Sequence, residues 1–297
     1  MYINDRVTNN KFIDMKKINV LIILLSIALI SSSCTEDKKD NDLIKKNLNG
    51  RVKSLKEIQH DVVERFGKIE KGNKVVEGEY SIFNKKGNKI ENNRYNSDGG
   101  LDVKTIYKYN NKGNKVEDNF YDGSDGSLFG KWAYKYDEKG NEIERNNYDS
   151  DGSFKGKSIY KYDNKGNNIE ENNYNSAGSL NYKVVYKCDN KGNNIEENNY
   201  NSDGRFTSKY AYKYDDKGNE IELYVTDSSG SFESKYAYKY DDKGNVIEFI
   251  TYNSDGSIDN KRVFKYDFDK EENWIKMVMF IKDIPKNIFE REIQYYQ

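Results

Sequence analysis

Residues 158–183 read SIYKYDNKGNNIEENNYNSAGSLNYK, a 26-residue unit that recurs along most of the chain. The glycine of its KGN triplet returns at a spacing of 26 or 27 residues. Its positions are Gly87, Gly113, Gly140, Gly166, Gly192, Gly218 and Gly244. A fixed period of this length is typical of repeat architectures, in which each unit packs on its neighbours.

Each unit contains two turn sequences of one kind, with Asp or Asn in the first place and Gly in the fourth. Residues 163–166 (DNKG) and 201–204 (NSDG) are examples. This pattern favours a type I turn followed by a left-handed Gly, the geometry of a three-residue hairpin loop. The segments between turns are about eight residues long and rich in Tyr, Ile and Val, which is typical of strands. The sequence therefore predicts an all-β, antiparallel up-and-down meander of two-strand repeats, with roughly 16 strands.

A sheet of this size is expected to curl, because open twisted sheets rarely exceed about ten strands. We predict a sheet that is rolled or coiled into an extended sheet, a spiral or an open barrel-like shell. A flat single layer is the alternative. A seven-bladed propeller is disfavoured, because a blade normally needs four strands.

Pairing the residues directly across each turn predicts one tyrosine-rich face and one charged face. As the sheet curls, the tyrosine-rich face is expected to roll inward. The tyrosine face collects Tyr160, Tyr162, Tyr174, Leu180, Tyr182, Val184 and Tyr186. The charged face collects Ile159, Lys161, Ile169, Glu171, Asn173, Lys183 and Val185. Aromatic faces bind sugar rings and peptide surfaces, although tyrosines also simply pack a sheet. As candidate ligand contacts we predict Tyr134, Tyr136, Tyr160, Tyr162, Tyr212, Tyr214, Tyr238 and Tyr240.

The composition excludes several classes of protein. Charged residues make up 33% of the chain, yet the net charge is only −1, so no basic groove for nucleic acid is predicted. The 26 Tyr and 13 Phe residues are too many and too regular for a disordered chain.

The N-terminus has the features of a secretory signal. Lys16 and Lys17 precede an apolar run of 11 residues, 20–30, which is too short to span a membrane well. Three serines then precede Cys34. This arrangement resembles a bacterial lipoprotein signal, although Ser31 stands where Leu is usual. We predict a signal peptide over residues 1–33, with Met15 as the start and 1–14 as an upstream extension, and a lipid on Cys34. Cleavage without lipidation is the alternative.

Residues 34–49 are predicted to be the lipidated Cys and a polar linker, and 41–49 could carry one helical turn. Thr35, Glu36 and Asp37 resemble the surface-export signal of Bacteroidetes lipoproteins. The resemblance implies an outer-membrane lipoprotein, with surface exposure favoured over the periplasmic leaflet. After processing, Cys188 is the only cysteine, so no internal disulfide is predicted.

Residues 134–141 and 212–219 share the pattern Tyr-x-Tyr-Asp-x-x-Gly-Asn. This pattern resembles the YD repeat of RHS-type bacterial proteins, and more closely the YD-repeat lipoproteins of Bacteroidetes. Residues 50–54 (GRVKS), 66–71, 272–276 (ENWIK) and 290–296 (EREIQYY) resemble the ends of that family's repeat region, although Glu272 stands where the family has Gly. The resemblance covers residues 50–297 and implies an antiparallel sheet wound into a shell, without catalytic residues. Residues 264–297 depart from the repeat and are interpreted as a C-terminal cap.

The residues that can carry chemistry give only weak signals. His60 has no nucleophile or further metal ligands beside it, and Cys188 takes the place of a repeat tyrosine. The Asp/Asn/Gly turns lack the terminal Glu of a calcium loop. Glu144, Glu170, Glu196, Glu222 and Glu248 recur every 26 residues, which indicates a structural row facing Lys or Tyr rather than a glycosidase pair. No catalytic residue, metal site or cofactor is predicted.

The function predicted from the sequence is that of a non-catalytic, lipid-anchored protein of the cell envelope. It is expected to be a monomer that presents a tyrosine-rich β surface to a protein or glycan. A structural spacer without a specific ligand is the alternative. An envelope hydrolase is the third and least favoured hypothesis.

Overall fold

The computed structural model describes residues 41–96 and 98–297. This part of the chain is almost entirely β-structure, which confirms the predicted fold class. The predicted signal peptide and the predicted lipid site, Cys34, lie outside the described residues. Among the described residues, no helix is long and apolar enough to cross a membrane.

The predicted turn geometry is present in the repeats. At residues 163–167, the Asp163 amide donates to the Asn167 carbonyl at 2.9 Å, and the Gly166 amide donates to the Asp163 carbonyl at 3.1 Å. Gly166 has a φ of +86°, in the left-handed region that glycine enters without a steric penalty. The Asp163 carboxylate also accepts from the amides of Lys165 and Asn167, so the first residue of the turn holds it closed.

Eighteen strands follow a single helical turn in the described part of the chain. The helix is α1 (Asp42–Lys45). The first nine strands are β1 (Val52–Arg65), β2 (Lys68–Phe83), β3 (Lys89–Tyr95), β4 (Leu101–Tyr109), β5 (Lys115–Asp122), β6 (Leu128–Tyr136), β7 (Glu142–Asp149), β8 (Phe154–Tyr162) and β9 (Asn168–Asn175). The others are β10 (Leu180–Cys188), β11 (Asn194–Asn201), β12 (Phe206–Tyr214), β13 (Glu220–Thr226), β14 (Phe232–Tyr240), β15 (Val246–Tyr252), β16 (Ile258–Phe268), β17 (Trp274–Ile281) and β18 (Ile284–Tyr295).

The strands form a closed barrel. Each strand pairs antiparallel with the next one along the chain, and β18 pairs with β1 through nine residues from Asp61 to Val52. Closure removes the two unpaired edges that an open sheet would expose. The KGN turns lie at one end of the barrel, here called the KGN end, and the other hairpin turns lie at the opposite end.

The residues predicted as a cap, 264–297, form the end of β16 and all of β17 and β18. They therefore close the ring of strands on β1. Phe264, Met277, Met279 and Phe289 from this segment pack with Phe249 in the larger buried apolar cluster of the described residues. At the altered turn, Glu272 adopts a φ of +63°, the left-handed conformation that Gly adopts in the repeats.

The predicted register is right at the turns but wrong along the strands, because each hairpin carries a β-bulge. Tyr162 pairs with Asn168 as predicted, but the next pair is Lys161 with Glu170, and Ile169 is the extra residue. A bulge sets two residues against one and so exchanges the faces of every residue beyond it. Glu171 and Asn173 therefore lie on the tyrosine face, not on the charged face.

The second hairpin of the repeat corrects two further assignments. Leu180 pairs with Tyr174 as predicted, but Tyr182 then pairs with Asn173. Since Tyr174 lies opposite Lys157, it belongs to the charged face, and Leu180 lies beside it. The prediction that these two residues share the face of Tyr160 was wrong for the same reason, an extra residue next to the turn.

The tyrosine face lines the inside of the barrel, and the charged face is outside. Lys161, Lys213 and Lys239 on the charged face have side chains that are 60–68% exposed. On the other face, Tyr134 and Tyr238 are only 7% and 9% exposed. Glu170, Glu222 and Glu248 of the outer row are each held by lysines of both neighbouring strands, as in Lys161–Glu170 at 2.6 Å and Glu170–Lys183 at 2.7 Å. Within the described residues, Glu144 and Glu196 each pair with one lysine. The predicted structural row facing lysines is therefore present.

Residues 41–49, here called the N-terminal plug, lie across the KGN end. The Asn41 side chain caps α1, and its amide donates to the Lys86 carbonyl at 3.0 Å. On the other side, the Asn47 amide donates to the Lys243 carbonyl at 3.1 Å. Leu43 and Leu48 are buried against Val52, Leu55 and Phe83. The predicted single helical turn therefore closes part of this end of the barrel.

Candidate functional site

The tyrosines predicted from the sequence lie on the inner wall, two on every second strand. Tyr134 and Tyr136 are on β6, and the equivalent pairs follow on β8, β12 and β14. The equivalent residues are Tyr160, Tyr162, Tyr212, Tyr214, Tyr238 and Tyr240. They line an enclosed wall, in agreement with the expectation that the tyrosine face rolls inward, so a ligand would have to enter the barrel.

The second tyrosine of each pair has a structural contact. The Tyr162 hydroxyl donates to the Glu142 carbonyl at 2.7 Å, and the Tyr214 hydroxyl donates to the Asn194 carbonyl at 2.7 Å. Tyr136 and Tyr240 make the same bond at 2.6 and 2.7 Å. Each hydroxyl satisfies the carbonyl at the start of the preceding strand, where the sheet ladder begins. These four tyrosines therefore stabilise the KGN end of the barrel.

Cys188 occupies this position in one repeat, and its Sγ lies 3.9 Å from the Asn168 carbonyl oxygen. We expect Cys188→Tyr to raise the free energy of unfolding by about 1 kcal/mol, because it supplies the hydroxyl that the other repeats have. Urea unfolding measures the gain. Cys188→Phe is the control, since it adds a ring without the donor, and equal stability of the two variants would contradict the hydrogen-bond explanation.

The first tyrosine of each pair lies deeper in the barrel and contacts carboxylates. The Tyr134 hydroxyl donates to Asp118 Oδ2 at 2.5 Å, and the Tyr212 hydroxyl donates to Glu197 Oε2 at 3.2 Å. Burial raises the pKa of Tyr160 to about 12, so this hydroxyl stays protonated at neutral pH. These rings combine an apolar face with a hydrogen-bond donor.

The inner wall changes from polar to apolar around the ring of strands. One inward-pointing repeat position is charged from β5 to β11 but apolar from β13 to β17. It is the residue after the outer-row Glu in β5 to β15 and the residue after Lys276 in β17. These residues are Asp118, Arg145, Glu171, Glu197, Leu223, Phe249 and Met277. Sequence reasoning missed this pattern because it placed Glu171 outside. Allowing for the bulge would have found it, since the seven residues occupy one position of the repeat.

Two of the charged positions contain complete ion pairs. Lys115 Nζ lies 2.9 Å from Asp118 Oδ2. The Arg145 guanidinium donates from Nε to Glu142 Oε1 at 2.9 Å. Burial raises the pKa of Glu142, and the neighbouring Arg145 opposes that rise.

Three carboxylates of the same wall are in a different situation: within the described residues, Glu171, Glu197 and Glu220 form no ion pair with a lysine or arginine. Glu171 accepts hydrogen bonds from Ser158 at 3.1 Å and from Tyr182 at 3.2 Å. Burial raises the pKa of Glu197, and it raises the pKa of Glu220 to about 7. The wall therefore carries half-buried carboxylates that no lysine or arginine of the described residues pairs with.

Glu220 provides a test through pH. Its folded pKa, about 7, lies above the usual value of 4.5, so its neutral form is favoured by folding. The resulting penalty is absent below pH 4.5, grows as the pH rises and is complete above pH 7. We expect Glu220→Gln to stabilise the protein at pH 8 by about 2 kcal/mol and to change little at pH 4. Thermal or urea unfolding at both pH values checks this, and a gain at pH 4 as large as that at pH 8 would contradict it.

Other residues considered from the sequence are not assembled into a site. His60 lies on β1 with Nε2 3.2 Å from Glu290 Oε2, and its side chain is only 12% exposed. Among the described residues, no three His, Cys, Asp or Glu side chains are arranged to hold a metal ion.

The interior has room for a ligand. Eighteen strands spaced about 4.8 Å apart and tilted by 35–45° make a circular ring roughly 35 Å across between opposite backbones. Barrels of 16–18 strands leave an aqueous channel after side chains are added. Since the N-terminal plug covers part of the KGN end, the opposite end offers the wider entrance.

Comparison with known proteins gives likenesses of low identity. No protein-family model and no curated protein matches the chain. The chain is similar to the crystal structure of a porin-like protein from Bacteroides uniformis, with 11% identity and a TM-score of 0.40, over 83% of this chain and 98% of that one. It is also similar to a porin-like protein from Bacteroides vulgatus, with 13% identity and a TM-score of 0.30, over 82% and 98%. A crystal structure of TcdB2-TccC3-TEV matches with 13% identity and a TM-score of 0.28, over 78% of this chain and 14% of that chain.

Proposed function

We propose that this chain is a non-catalytic, lipid-anchored protein of the cell envelope that binds a glycan inside its barrel. The observation that carries the proposal is the composition of the inner polar wall. There, tyrosine rings alternate with carboxylates, amides and hydroxyls, as at Tyr160, Glu171 and Ser158. Sugar rings need this combination of flat apolar surface and hydrogen-bonding groups.

The enclosed position of the wall selects among the ligands expected from the sequence. The end of the barrel is roughly 35 Å across between backbones, and side chains narrow it further, so a folded protein does not reach the inner wall. A glycan chain can reach it, because it is narrow and needs no fold of its own. The glycan hypothesis is therefore favoured over a folded protein partner.

The charged outer face favours a barrel that is surrounded by water over one that spans the membrane. Lysines such as Lys135 and Lys161 recur on every second strand of this face, and each forms an ion pair with a glutamate of the next strand. A lysine on the lipid face of a membrane barrel costs about 2–4 kcal/mol at the bilayer midplane. Most strands are also only 7–9 residues long, whereas spanning strands need about 9–11. Attachment through a lipid on Cys34 fits this arrangement, and Cys34→Ser should release the protein from membranes.

The binding test uses oligosaccharides of known composition, immobilised as an array and then titrated in solution. Wild-type protein is compared with Tyr160→Ala/Tyr212→Ala, which removes two inner rings. The matched control is Tyr148→Ala/Tyr200→Ala, which removes two tyrosines of the outer face. We expect binding that the inner double variant loses and the outer one keeps. Absence of binding to every oligosaccharide, or equal loss in both folded variants, would contradict the proposal.

A structural spacer is the second candidate, and one observation favours it. Tyr136, Tyr162, Tyr214 and Tyr240 all donate to backbone carbonyls, so half of the predicted ligand contacts already have a structural role. Under this hypothesis the inner rings only pack the sheet. The same array separates the two functions, because a spacer binds no oligosaccharide.

A further inference from the structure

Lys115 and Arg145 on the polar inner wall make the same two kinds of contact, an ion pair with a carboxylate and a cation–π contact with a tyrosine ring. Lys115 lies on the Asp118 carboxylate, with its Nζ 4.7 Å from the centre of the Tyr134 ring. Arg145 lies on the Glu142 carboxylate, with its guanidinium carbon 5.3 Å from the Tyr134 ring and 5.5 Å from the Tyr160 ring. In both places a carboxylate supplies the charge and aromatic rings supply cation–π contacts. The inner wall of these repeats therefore forms binding sites for cationic groups.

The following repeats keep the carboxylate and the aromatic rings, but they have no lysine or arginine at these positions. At the positions of Lys115 and Glu142 stand Asn168 and Asn194, and at those of Asp118 and Arg145 stand Glu171 and Glu197. The hydroxyls of Tyr182 and Tyr186 lie 3.2 and 3.4 Å from the two oxygens of Glu171. The Tyr212 hydroxyl lies 3.2 Å from Glu197. These carboxylates have aromatic neighbours but no lysine or arginine partner within the described residues.

We infer that Glu171, Glu197 and Glu220 bind the ammonium groups of an amine-bearing sugar chain. This inference rests on the proposed function and names the class of glycan. Glu171 and Glu197 occupy one repeat position on β9 and β11, so they are about 10 Å apart around the wall. Glu220 follows on β13 at the repeat position of Glu142, nearer the KGN end. An extended chain with repeated amino groups places one ammonium at each carboxylate. Each ammonium then replaces the cation that Lys115 and Arg145 provide in the earlier repeats.

An ammonium ligand would also give these half-buried carboxylates the charged partner that they lack. A buried carboxylate is stable as an anion only with charged or strong hydrogen-bonding partners. Asp118, at the start of the same wall, is only 3% exposed, and its Oδ1 accepts no hydrogen bond within the described residues. The wall thus retains acceptor capacity that an ammonium group, with three donors, can use.

The test compares two sugars that differ only at nitrogen: the tetramer of glucosamine, which carries ammonium groups, and the tetramer of N-acetylglucosamine, which is neutral. We expect the glucosamine tetramer to bind at least about tenfold more tightly in calorimetry at pH 6, since charge-assisted hydrogen bonds are stronger than neutral ones. Glu171→Gln/Glu197→Gln should lose this preference. The matched control is Glu170→Gln/Glu196→Gln, which neutralises the adjacent outer glutamates and should keep it.

The possible outcomes separate the inference from the function. Equal binding of both tetramers would overturn the ammonium site while leaving glycan binding intact. A preference for glucosamine that persists in the folded inner double variant would also overturn it. Spermine serves as the third probe: binding of spermine that needs Glu171 and Glu197, without binding of either sugar, would support the ammonium site and contradict the glycan function. Absence of binding by all three probes would contradict both.

Discussion

Replacing Arg291 with methionine is expected to lower the free energy of unfolding by about 3–5 kcal/mol, because it leaves a buried carboxylate without its main partner. Arg291 Nε donates to Glu57 Oε1 at 3.0 Å, and both side chains are 8% exposed. The guanidinium also lies 3.6 Å from the centre of the Trp274 ring. Lys46 of the N-terminal plug reaches the other oxygen of Glu57 at 3.3 Å but does not replace the guanidinium.

Urea unfolding at pH 7 measures this loss, and the double variant Glu57→Met/Arg291→Met is its control. Removing both charges leaves no uncompensated ion, so the double variant should be more stable than Arg291→Met alone. A single variant as stable as the wild type would contradict a stabilising role of the buried Glu57–Arg291 ion pair between β1 and β18.

The Glu57–Arg291 ion pair also predicts how the free energy of unfolding depends on pH in the acid range. Burial alone would raise the pKa of Glu57, but the charges of Lys46 and Arg291 outweigh it and hold the pKa at about 2. This value lies below the usual 4.5, so the contribution to stability is complete above pH 4.5 and is lost as the pH falls toward 2. In Arg291→Met that acid-dependent part of the stability should shrink.

Much of the fold could be predicted from the sequence because turn chemistry is local. Asp163 and Gly166 specify their hairpin within a few residues, and the 26-residue period extends this to the whole chain. Closure of the barrel could not be predicted in this way. It depends on the pairing of β1 with β18, which lie more than 200 residues apart and do not carry the repeat motif.

The inner wall was only partly predictable, for a geometric reason. The position of a strand residue depends on the parity of its register, and one bulge reverses that parity. The tyrosines of β8 were assigned to the correct face because they precede the bulge at Ile169. Glu171 lies beyond it and was assigned to the wrong face, so the charged part of the candidate site was lost with it. The sequence alone also does not show that Glu197 and Glu220 are partly buried without a lysine or arginine partner.

Phe83→Ala is expected to lower the free energy of unfolding by about 3–5 kcal/mol. Phe83 is 0% exposed and packs with Leu43 and Leu48 of the N-terminal plug and with Val52 and Leu55 of β1. Truncation to alanine would leave a cavity between the plug and the barrel, where the backbone of β2 is fixed by pairing on both sides. The plug would then lose its main apolar contact with the barrel.

Two measurements check this prediction, with Phe154→Ala as the matched control. Phe154 is 37% exposed, so its truncation should cost about 1 kcal/mol or less. Urea unfolding reports the global loss. Trypsin cleavage after Lys45 and Lys46 reports release of the plug, and it should become faster in Phe83→Ala under conditions where the barrel remains folded. Equal cleavage rates in the two variants would mean that polar contacts such as Asn47 to Lys243 hold the plug without the apolar cluster.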